Sequence, residues 1–276
     1  MTGTPTGFLY FDKFSNGFQK GDLVIIAGET SNGKTSLALN IASNAAATGE
    51  KVVIYSYEMS DRQLASRMLS SESTVSSKHI MYDRLDNNQI NAVNNGIDTL
   101  SQQGIYIDEL ASSKFEYLEK SIRAMVVKEN ATLIIIDYLQ LIKINSKGFN
   151  KVDQVAEIAN GIKSLAKILD VPIILLSQLS RDRQNPKPSL SRLKGSGDIE
   201  NAADIIWLLW QPFIYGMESF DCIGEIYPSE GNSHHIIAKG RNIGTTEFAL
   251  GFTPELTMFT NEIKIENKDN EQRYEF

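Results

Sequence analysis

The residues best suited to chemistry form one eight-residue run, Gly28-Glu29-Thr30-Ser31-Asn32-Gly33-Lys34-Thr35. Two glycines separated by four residues and followed by Lys and Thr match the pattern of a phosphate-binding loop. The glycines let backbone N–H groups close around phosphate oxygens, and a helix that starts near Lys34 points its positive end at them. Lys34 adds a charge on the terminal phosphates, and the Thr35 hydroxyl can hold Mg²⁺. The run, together with Ser36, therefore predicts a site for ATP and Mg²⁺.

Carboxylates near this loop are candidates for holding the metal and for activating water. Four aliphatic residues, 133–136, run directly into Asp137. In open parallel sheets, ligands bind at the carboxyl ends of the strands, so Asp137 is predicted to support the metal. Hydrolysis also needs a base that orients water. Glu58 and Glu109 each follow a predicted strand, and position alone does not decide between them.

Three further polar segments have more than one interpretation. Gln178 closes an apolar run, where it is either a sensor of the terminal phosphate or part of a polar turn. Lys239 and Arg241 end a predicted strand, from which an arginine can reach a phosphate of its own or of a neighbouring subunit. Five cations against one acid, Asp182, fill the segment 181–194 of an otherwise acidic chain. That segment is typical of a loop that follows a phosphate backbone, or of a solvated loop. Its cations and the glycines that follow are Arg181, Arg183, Lys187, Arg192, Lys194, Gly195 and Gly197.

The elements that must position these residues alternate between strand and helix. Apolar runs predict strands at 22–27, 51–56, 105–107, 132–137 and 172–176, and helical patterns lie at 36–47, 61–70, 87–102, 115–129 and 152–169. This alternation predicts an α/β fold, a mostly parallel twisted sheet with helices on both faces. Beyond residue 204, predicted strands at 205–210, 233–238, 246–252 and 257–259 have few helices between them. They are expected to extend the sheet antiparallel at one edge.

The composition is that of a globular protein, with 42% hydrophobic and 22% charged residues among 276. No apolar run approaches the 18 residues of a membrane span, and the N-terminus lacks the pattern of a secretory signal. A single cysteine, Cys222, excludes an internal disulfide, and three histidines leave little material for a zinc site. We therefore expect a cytoplasmic protein without membrane contact. The net charge of −7 argues against a surface that is basic throughout, but a local basic loop can still bind phosphates.

Four segments, in this order, resemble the motor domain of DnaB-type replicative helicases. They are Ser56-Tyr57-Glu58-Met59, Ile136-Asp137-Tyr138-Leu139-Gln140-Leu141, Leu176-Ser177-Gln178-Leu179-Ser180-Arg181 and Lys239-Gly240-Arg241-Asn242. Pro5-Thr6-Gly7, Gly17 and Gly21-Asp22-Leu23 resemble the segment that precedes the phosphate loop in this family. The similarity covers about residues 2–261. It implies a RecA-like core that assembles as a ring, commonly a hexamer, around single-stranded DNA, with ATP sites between subunits.

The resemblance also implies roles for individual residues. Lys34 and Thr35 match the residues that bind triphosphate and Mg²⁺, with Asp137 supporting the metal. Glu58 matches the catalytic glutamate, and so takes that role over Glu109. Gln178 matches the residue that couples the phosphate state to the DNA loops.

Two further matches concern DNA and the neighbouring subunit. Lys194, Gly195 and Gly197 match the DNA-contacting loop, although Gly195 stands where the family frequently has an acid. Lys239 and Arg241 match the pair that reaches into the neighbour's ATP site, with Arg241 as the arginine finger. In the family a glycine often follows this asparagine directly, whereas here Ile243 stands between Asn242 and Gly244.

Family members usually carry an N-terminal helical domain and a linker helix, and this chain starts after both. The expected division is a residual linker or entry segment at 1–20, the RecA-like helicase ATPase domain at 21–262 and a mobile tail at 263–276. The expected function is an ATP-dependent DNA helicase motor that translocates on single-stranded DNA, with a primase or a loader protein as further partners. The alternatives are a RecA-like recombination or repair ATPase and a non-hydrolysing, nucleotide-dependent assembly module.

Overall fold

The computed structural model describes residues 1–109, 112–144, 151–193 and 196–265. The helices in these ranges are α1 (Leu9–Ser15), α2 (Lys34–Ala47), α3 (Asp61–Ser73), α4 (Ser77–Tyr82), α5 (Asn87–Ser101), α6 (Phe115–Glu129), α7 (Lys151–Leu169) and α8 (Ser196–Ala202). The strands are β1 (Leu23–Gly28), β2 (Val52–Ser56), β3 (Ile105–Glu109), β4 (Leu133–Asp137), β5 (Ile173–Gln178), β6 (Ile205–Trp210), β7 (Ser219–Cys222), β8 (Glu225–Pro228), β9 (Asn232–Gly240), β10 (Thr246–Thr253) and β11 (Met258–Thr260). Among the described residues, no helix combines the length and apolar composition that a membrane crossing needs.

A nine-stranded sheet in the order β11-β10-β9-β6-β1-β5-β4-β2-β3 forms the centre of the fold. Strands β1 to β6 pair in parallel. Strands β9, β10 and β11 extend the sheet antiparallel beyond β6. The predicted α/β fold with antiparallel strands toward the C-terminus is therefore confirmed. A small antiparallel hairpin of β7 and β8, which the sequence analysis did not anticipate, stands apart from the main sheet.

Strand β1 is buried on both faces, which is why its sequence is continuously apolar rather than alternating. Its side chains point alternately to the two faces of the sheet. Val24 and Ile26 join a core that includes buried residues of α2 and α3. Leu23, Ile25 and Ala27 join the opposite core, which includes α6 and α7. Two packed layers therefore fix the direction of β1 and, with it, the position of the loop that leaves its carboxyl end.

Residues 1–20, predicted as a residual linker or entry segment, pack into the core of the domain. Phe8, Phe11 and Phe18 are at most 1% exposed. The Phe11 ring stacks on Trp207 of β6, with ring centroids 4.6 Å apart. The Asp12 carboxylate accepts hydrogen bonds from the backbone N–H groups of residues 6 and 7 and so fixes the entry to α1. Residues 1–20 therefore belong to the same domain as the sheet.

The first residues of the predicted tail, 263–276, contact the domain. The backbone N–H of Lys264 donates to the Asn232 side chain at 2.9 Å, and the Asn232 amide donates back to the Lys264 carbonyl at 2.9 Å. Ile263 packs against the small core beneath the β7–β8 hairpin. Residues 263 and 264 therefore pack with the domain. The rest of the predicted tail, from 266, lies outside the described residues.

Candidate functional site: a phosphate loop at the carboxyl edge of the sheet

The phosphate loop joins the end of β1 to the start of α2. At Gly28, an added Cβ would lie 2.9 Å from the Leu209 carbonyl oxygen, so only glycine fits there. Gly33 has φ +90° and Ser31 has φ +68°, a left-handed backbone conformation that tightens the loop. Helix α2 begins at Lys34, two residues before the predicted start, so its unpaired N–H groups face the loop. This geometry fits the cradle that a phosphate chain requires.

Lys34 rests on the loop itself. Its Nζ donates to the backbone carbonyl of Glu29 at 2.9 Å. Burial lowers the pKa of Lys34, and the nearby carboxylates of Asp137, Glu58 and Glu29 oppose this shift. Because this ammonium is partly desolvated, its charge acts on a bound phosphate with less screening than it would have in water.

Thr35 and Asp137 meet at the position expected for a metal. The Thr35 hydroxyl donates to Asp137 Oδ2 at 2.7 Å, and Asp137 is 4% exposed at the end of β4. Burial raises the pKa of Asp137, and the Thr35 hydrogen bond opposes that shift. A hydroxyl and a carboxylate together offer the oxygen ligands that Mg²⁺ prefers, so these two residues fit the predicted role.

Glu58 lies in the turn after β2 and lines the same cavity of about 580 Å³ as Lys34, Thr35 and Asp137. The turn is held on both sides. The Tyr57 N–H donates to the Asp137 carbonyl at 2.8 Å, and the Ser56 hydroxyl donates to the Met59 carbonyl at 2.7 Å. Glu109, the alternative base, ends the outermost strand β3, and its side chain lies outside the described residues. The structure therefore brings Glu58 to the site.

Gln178 connects the end of β5 to the phosphate loop. Its Nε2 donates to the Thr30 hydroxyl at 2.7 Å, and its side chain lines the cavity. Gln140 supports this position, because its side-chain carbonyl accepts from the Gln178 N–H at 3.3 Å and its Nε2 donates to the Ser177 hydroxyl at 2.9 Å. A ligand that moves Thr30 would therefore also disturb the end of β5.

Several residues that the sequence analysis missed also form the site. Arg67 of α3 lines the cavity, and burial lowers its pKa while Asp137 and Glu58 raise it. Arg67 belongs to no recognisable motif, since only the packing of α3 brings its guanidinium to the two carboxylates. Further wall residues come from the C-terminal half of the chain: Gln211, Phe213, Ile214, Phe252, Pro254 and Thr257.

The basic segment 181–193 is divided in the structure between exposed and buried cations. Arg181 and Arg183 are exposed, as predicted. Lys187 has Nζ 3.4 Å from Glu247 Oε2. Arg192, predicted to contact DNA, is only 7% exposed and forms an ion pair with Glu29. In this structure its guanidinium therefore faces the interior and is already paired, whereas a DNA contact needs an accessible cation.

The other predicted DNA contacts are only partly described. Lys194 and Gly195 lie outside the described residues. An added Cβ at Gly197 would meet nothing within 4 Å, so this backbone position is open to a ligand.

Lys239 and Arg241 lie at the edge of the sheet opposite the phosphate loop. Lys239 Nζ donates to the Glu200 carbonyl. Arg241 Nη1 is 3.2 Å from Asp204 Oδ1, and Arg241 Nη2 donates to the Asn201 carbonyl at 3.0 Å. Arg241 is level with the start of β1, because its N–H donates to the Asp204 carbonyl and the Asp204 N–H donates to the Leu23 carbonyl. Leu23 and Gly28 lie at opposite ends of β1, five residues or about 16 Å apart along the strand. Arg241, which is level with Leu23, therefore does not reach the phosphate loop of its own chain.

A second cluster of potential metal ligands lies outside this cavity. Cys222, His234 and Glu247 have ligand atoms within 4.8 Å of one another. Burial lowers the pKa of His234 to about 4 and raises that of Cys222 to about 12, so both are neutral near pH 7. His234 Nε2 lies 2.8 Å from Glu247 Oε2, and Lys187 pairs with the same carboxylate. Because these contacts already satisfy Glu247, we assign no metal to the cluster.

Comparisons with known proteins agree with this geometry. Residues 3–261 match the model of the "DnaB-like helicase C terminal domain" family. The chain is 38% identical to the replicative DNA helicase DnaB of Geobacillus stearothermophilus and 36% identical to the replicative DNA helicase DnaC of Bacillus subtilis, covering 95% of this chain and 57% of each relative.

Two solved structures share the fold. A DnaB-like replicative helicase, described with its interactions with primase, superposes with a TM-score of 0.85 at 29% identity and covers 94% of this chain and 62% of that one. A second structure, described as an ATPase domain, superposes with a TM-score of 0.86 at 30% identity and covers 95% of this chain and 92% of that one. The family match, the curated relatives and the shared architecture lead to one conclusion: this chain belongs to the DnaB-like helicase C terminal domain family.

Proposed function

We propose that this chain is the motor of an ATP-dependent DNA helicase of the replicative type, acting in the cytoplasm. One observation carries the proposal: Lys34, Thr35, Asp137 and Glu58 line a single cavity at the carboxyl edge of the sheet. The chain spans 57% of the length of its two curated relatives cited above, which are replicative helicases. The activity of a whole helicase is therefore part of this proposal.

In the proposed reaction, each residue of the cavity has a separate task. Lys34 leaves the Glu29 carbonyl and neutralises charge on the terminal phosphates. Thr35 and Asp137 would hold Mg²⁺, which when bound neutralises the charge that develops on the phosphate oxygens. Glu58 orients a water molecule and accepts its proton. Gln178, which contacts Thr30, responds to occupation of the loop.

Two alternative functions are weaker. A non-hydrolysing assembly module needs no base, whereas here Glu58 shares the cavity with the phosphate loop and the candidate metal ligands. A RecA-like recombination ATPase would share the core fold. However, the matching family is that of a DnaB-like helicase domain, and both curated relatives cited above are replicative helicases.

The position of Arg241 supports ATP sites that are completed between subunits. Arg241 lies about 16 Å along the sheet from the phosphate loop of its own chain. Its side chain is 46% exposed, so a neighbouring subunit can approach it. We propose that Arg241 and Lys239 serve the ATP site of the neighbour in a ring, commonly a hexamer. One similar structure is that of a DnaB-like replicative helicase and its interactions with primase, and we propose primase as a further partner of this chain.

The experiment that tests the function measures ATP turnover with and without single-stranded DNA. A helicase motor turns over ATP faster when DNA is present, and it separates a forked duplex. Turnover that DNA does not stimulate would remove the helicase assignment. No turnover at all would favour the assembly module.

We expect Lys34→Ala to lower ATP turnover by about 10²–10³-fold, the typical cost of removing one preorganised group that stabilises developing charge. The measurement is steady-state phosphate release at saturating ATP. Lys51→Ala provides the matched control, because Lys51 is also a lysine but does not line the cavity. Parent-like turnover by Lys34→Ala would contradict the assigned phosphate site.

We expect Arg181 and Arg183 to contribute to DNA binding through charge alone. On single strands, each neutralised phosphate changes the slope of log affinity against log salt by about −0.7, so the double variant Arg181→Gln/Arg183→Gln should flatten the slope by about 1.4. Fluorescence anisotropy with labelled oligonucleotides measures this slope. Lys187→Gln is the control, since Lys187 is already paired with Glu247 and should change the slope less. An unchanged slope in the double variant, or a loss confined to one DNA sequence, would contradict the prediction.

A further inference from the structure

A buried ion pair joins the phosphate loop to the basic segment 181–193. The Arg192 guanidinium contacts the Glu29 carboxylate, and their side chains are 8% and 11% exposed. Glu29 is the second residue of the phosphate loop, and Arg192 lies 163 residues further along the chain. The pair therefore connects two segments that the proposed function assigns to different ligands.

Arg192 also holds the basic segment together. Its side chain donates to four backbone carbonyls at 2.7–3.3 Å, those of Ser180, Asn185, Pro186 and Lys187. Its own carbonyl accepts from the Ser180 N–H at 2.9 Å. One guanidinium thus sets the conformation of the loop that carries the exposed Arg181 and Arg183.

Glu29 contacts the group expected to bind phosphate. Its backbone carbonyl accepts from Lys34 Nζ at 2.9 Å, while its carboxylate contacts Arg192. A continuous series of direct contacts therefore runs from Lys34 through Glu29 and Arg192 to the basic loop. When Lys34 turns toward a triphosphate, the Glu29 carbonyl loses its donor, and the Glu29 backbone is released to adjust.

We propose that Glu29 and Arg192 are positioning residues that couple triphosphate binding to the conformation of the basic loop, and thereby to DNA affinity. The proposal rests on the proposed function. Separating two buried charges is costly, so the Arg192 guanidinium follows the Glu29 carboxylate when the phosphate loop adjusts. The movement then reaches Arg181 and Arg183, because the carbonyls around them are bound to the same guanidinium.

A purely structural ion pair would lower stability when broken, but it would not link the two ligands. Coupling is the ratio of DNA affinities with and without bound nucleotide, and typical couplings between sites are about 5–150-fold. We would measure this ratio for the full chain by anisotropy, using a labelled oligo-dT strand with and without a non-hydrolysable ATP analogue.

The decisive variant is Glu29→Ala, which keeps the backbone carbonyl that contacts Lys34 and removes the carboxylate. We expect the parent ratio to fall in the range above and the Glu29→Ala ratio to fall toward one, each measured at saturating nucleotide so that a change in nucleotide affinity does not enter the ratio. Glu29→Gln, which keeps an acceptor for the guanidinium, should give an intermediate ratio. Arg183→Gln is the matched control: it should weaken DNA binding equally in both nucleotide states and leave the ratio unchanged.

A second readout does not depend on DNA. Hydrogen exchange of the backbone amides at 180–187 should change when the ATP analogue binds to the parent, and should not change in Glu29→Ala. This readout distinguishes the two proposals. A parent that binds no DNA but shows the exchange response would overturn the helicase function, and the coupling between triphosphate binding and the conformation of the basic loop would stand.

Three results would overturn the coupling. They are a parent-like ratio in folded Glu29→Ala, a parent ratio of one with no exchange response, or an exchange response that survives in Glu29→Ala. If thermal unfolding shows that Glu29→Ala does not fold, Glu29→Gln takes its place, and a parent-like ratio or an undiminished exchange response in Glu29→Gln would overturn the coupling.

Discussion

Arg241→Ala is expected to lower ATP turnover by about 10³–10⁵-fold, the range that arginine fingers contribute to phosphoryl transfer. The guanidinium stabilises charge as the γ-phosphoryl group leaves, so its loss affects the chemical step more than binding. Fluorescent nucleotide titration should therefore show near-parent affinity, while phosphate release falls. If Arg241 merely pairs with Asp204, Arg241→Ala should lower the stability of the fold and leave turnover unchanged.

Arg123→Ala is the matched control for Arg241→Ala. Arg123 is similarly exposed, at 41%, pairs with Glu119 within α6, and does not line the cavity. A loss of turnover in both variants would indicate a general effect of removing a surface arginine.

Mixing two inactive variants tests whether the finger acts between subunits. Arg241→Ala subunits keep an intact phosphate loop, and Lys34→Ala subunits keep an intact finger. Where one lies beside the other in the right order, a complete site forms. Mixed assemblies should therefore recover turnover that neither variant shows alone. If proven subunit exchange restores nothing, the proposed ring mechanism loses its main support.

Glu58→Gln is expected to lower turnover by about 10²–10⁴-fold, the usual contribution of a general base. The amide keeps the shape and hydrogen-bonding capacity of the side chain but does not accept a proton. ATP should still bind, so nucleotide affinity and turnover separate in this variant. Glu72→Gln on the exposed face of α3 is the control. Parent-rate hydrolysis by Glu58→Gln would show that another group orients the water.

Residues within local motifs were predictable because their roles depend on neighbours in the chain. The glycines and Lys34 follow from the needs of a phosphate-binding turn, and Asp137 from its place at the end of an apolar run. The parallel sheet then brings the ends of β1, β2, β4 and β5 to one edge. The choice of Glu58 over Glu109 required the family resemblance, because both residues follow a strand.

Residues whose roles depend on distant contacts were not predictable. A charged residue in a polar loop is expected to be exposed. Arg192 is instead buried, and it pairs with the Glu29 carboxylate, 163 positions away in sequence. Arg67 reaches the cavity only because α3 packs beside it. The first 20 residues have the pattern of a connecting segment, but Phe8 and Phe11 fill a space that β6 and β10 leave open.

Each subunit presents Arg241 at one end of its strands and the phosphate loop at the other. If Arg241 serves the ATP site of the neighbour, as proposed, the subunits must contact one another head to tail. Such heterologous contacts close into rings or continue as open filaments, and neither forms a self-contained pair. Each subunit then contributes its phosphate loop to one reaction centre and its Arg241 to the next, and no subunit contains a complete centre. The specific activity per subunit should therefore fall steeply on dilution, in proportion to the fraction of broken junctions, even while every chain remains folded.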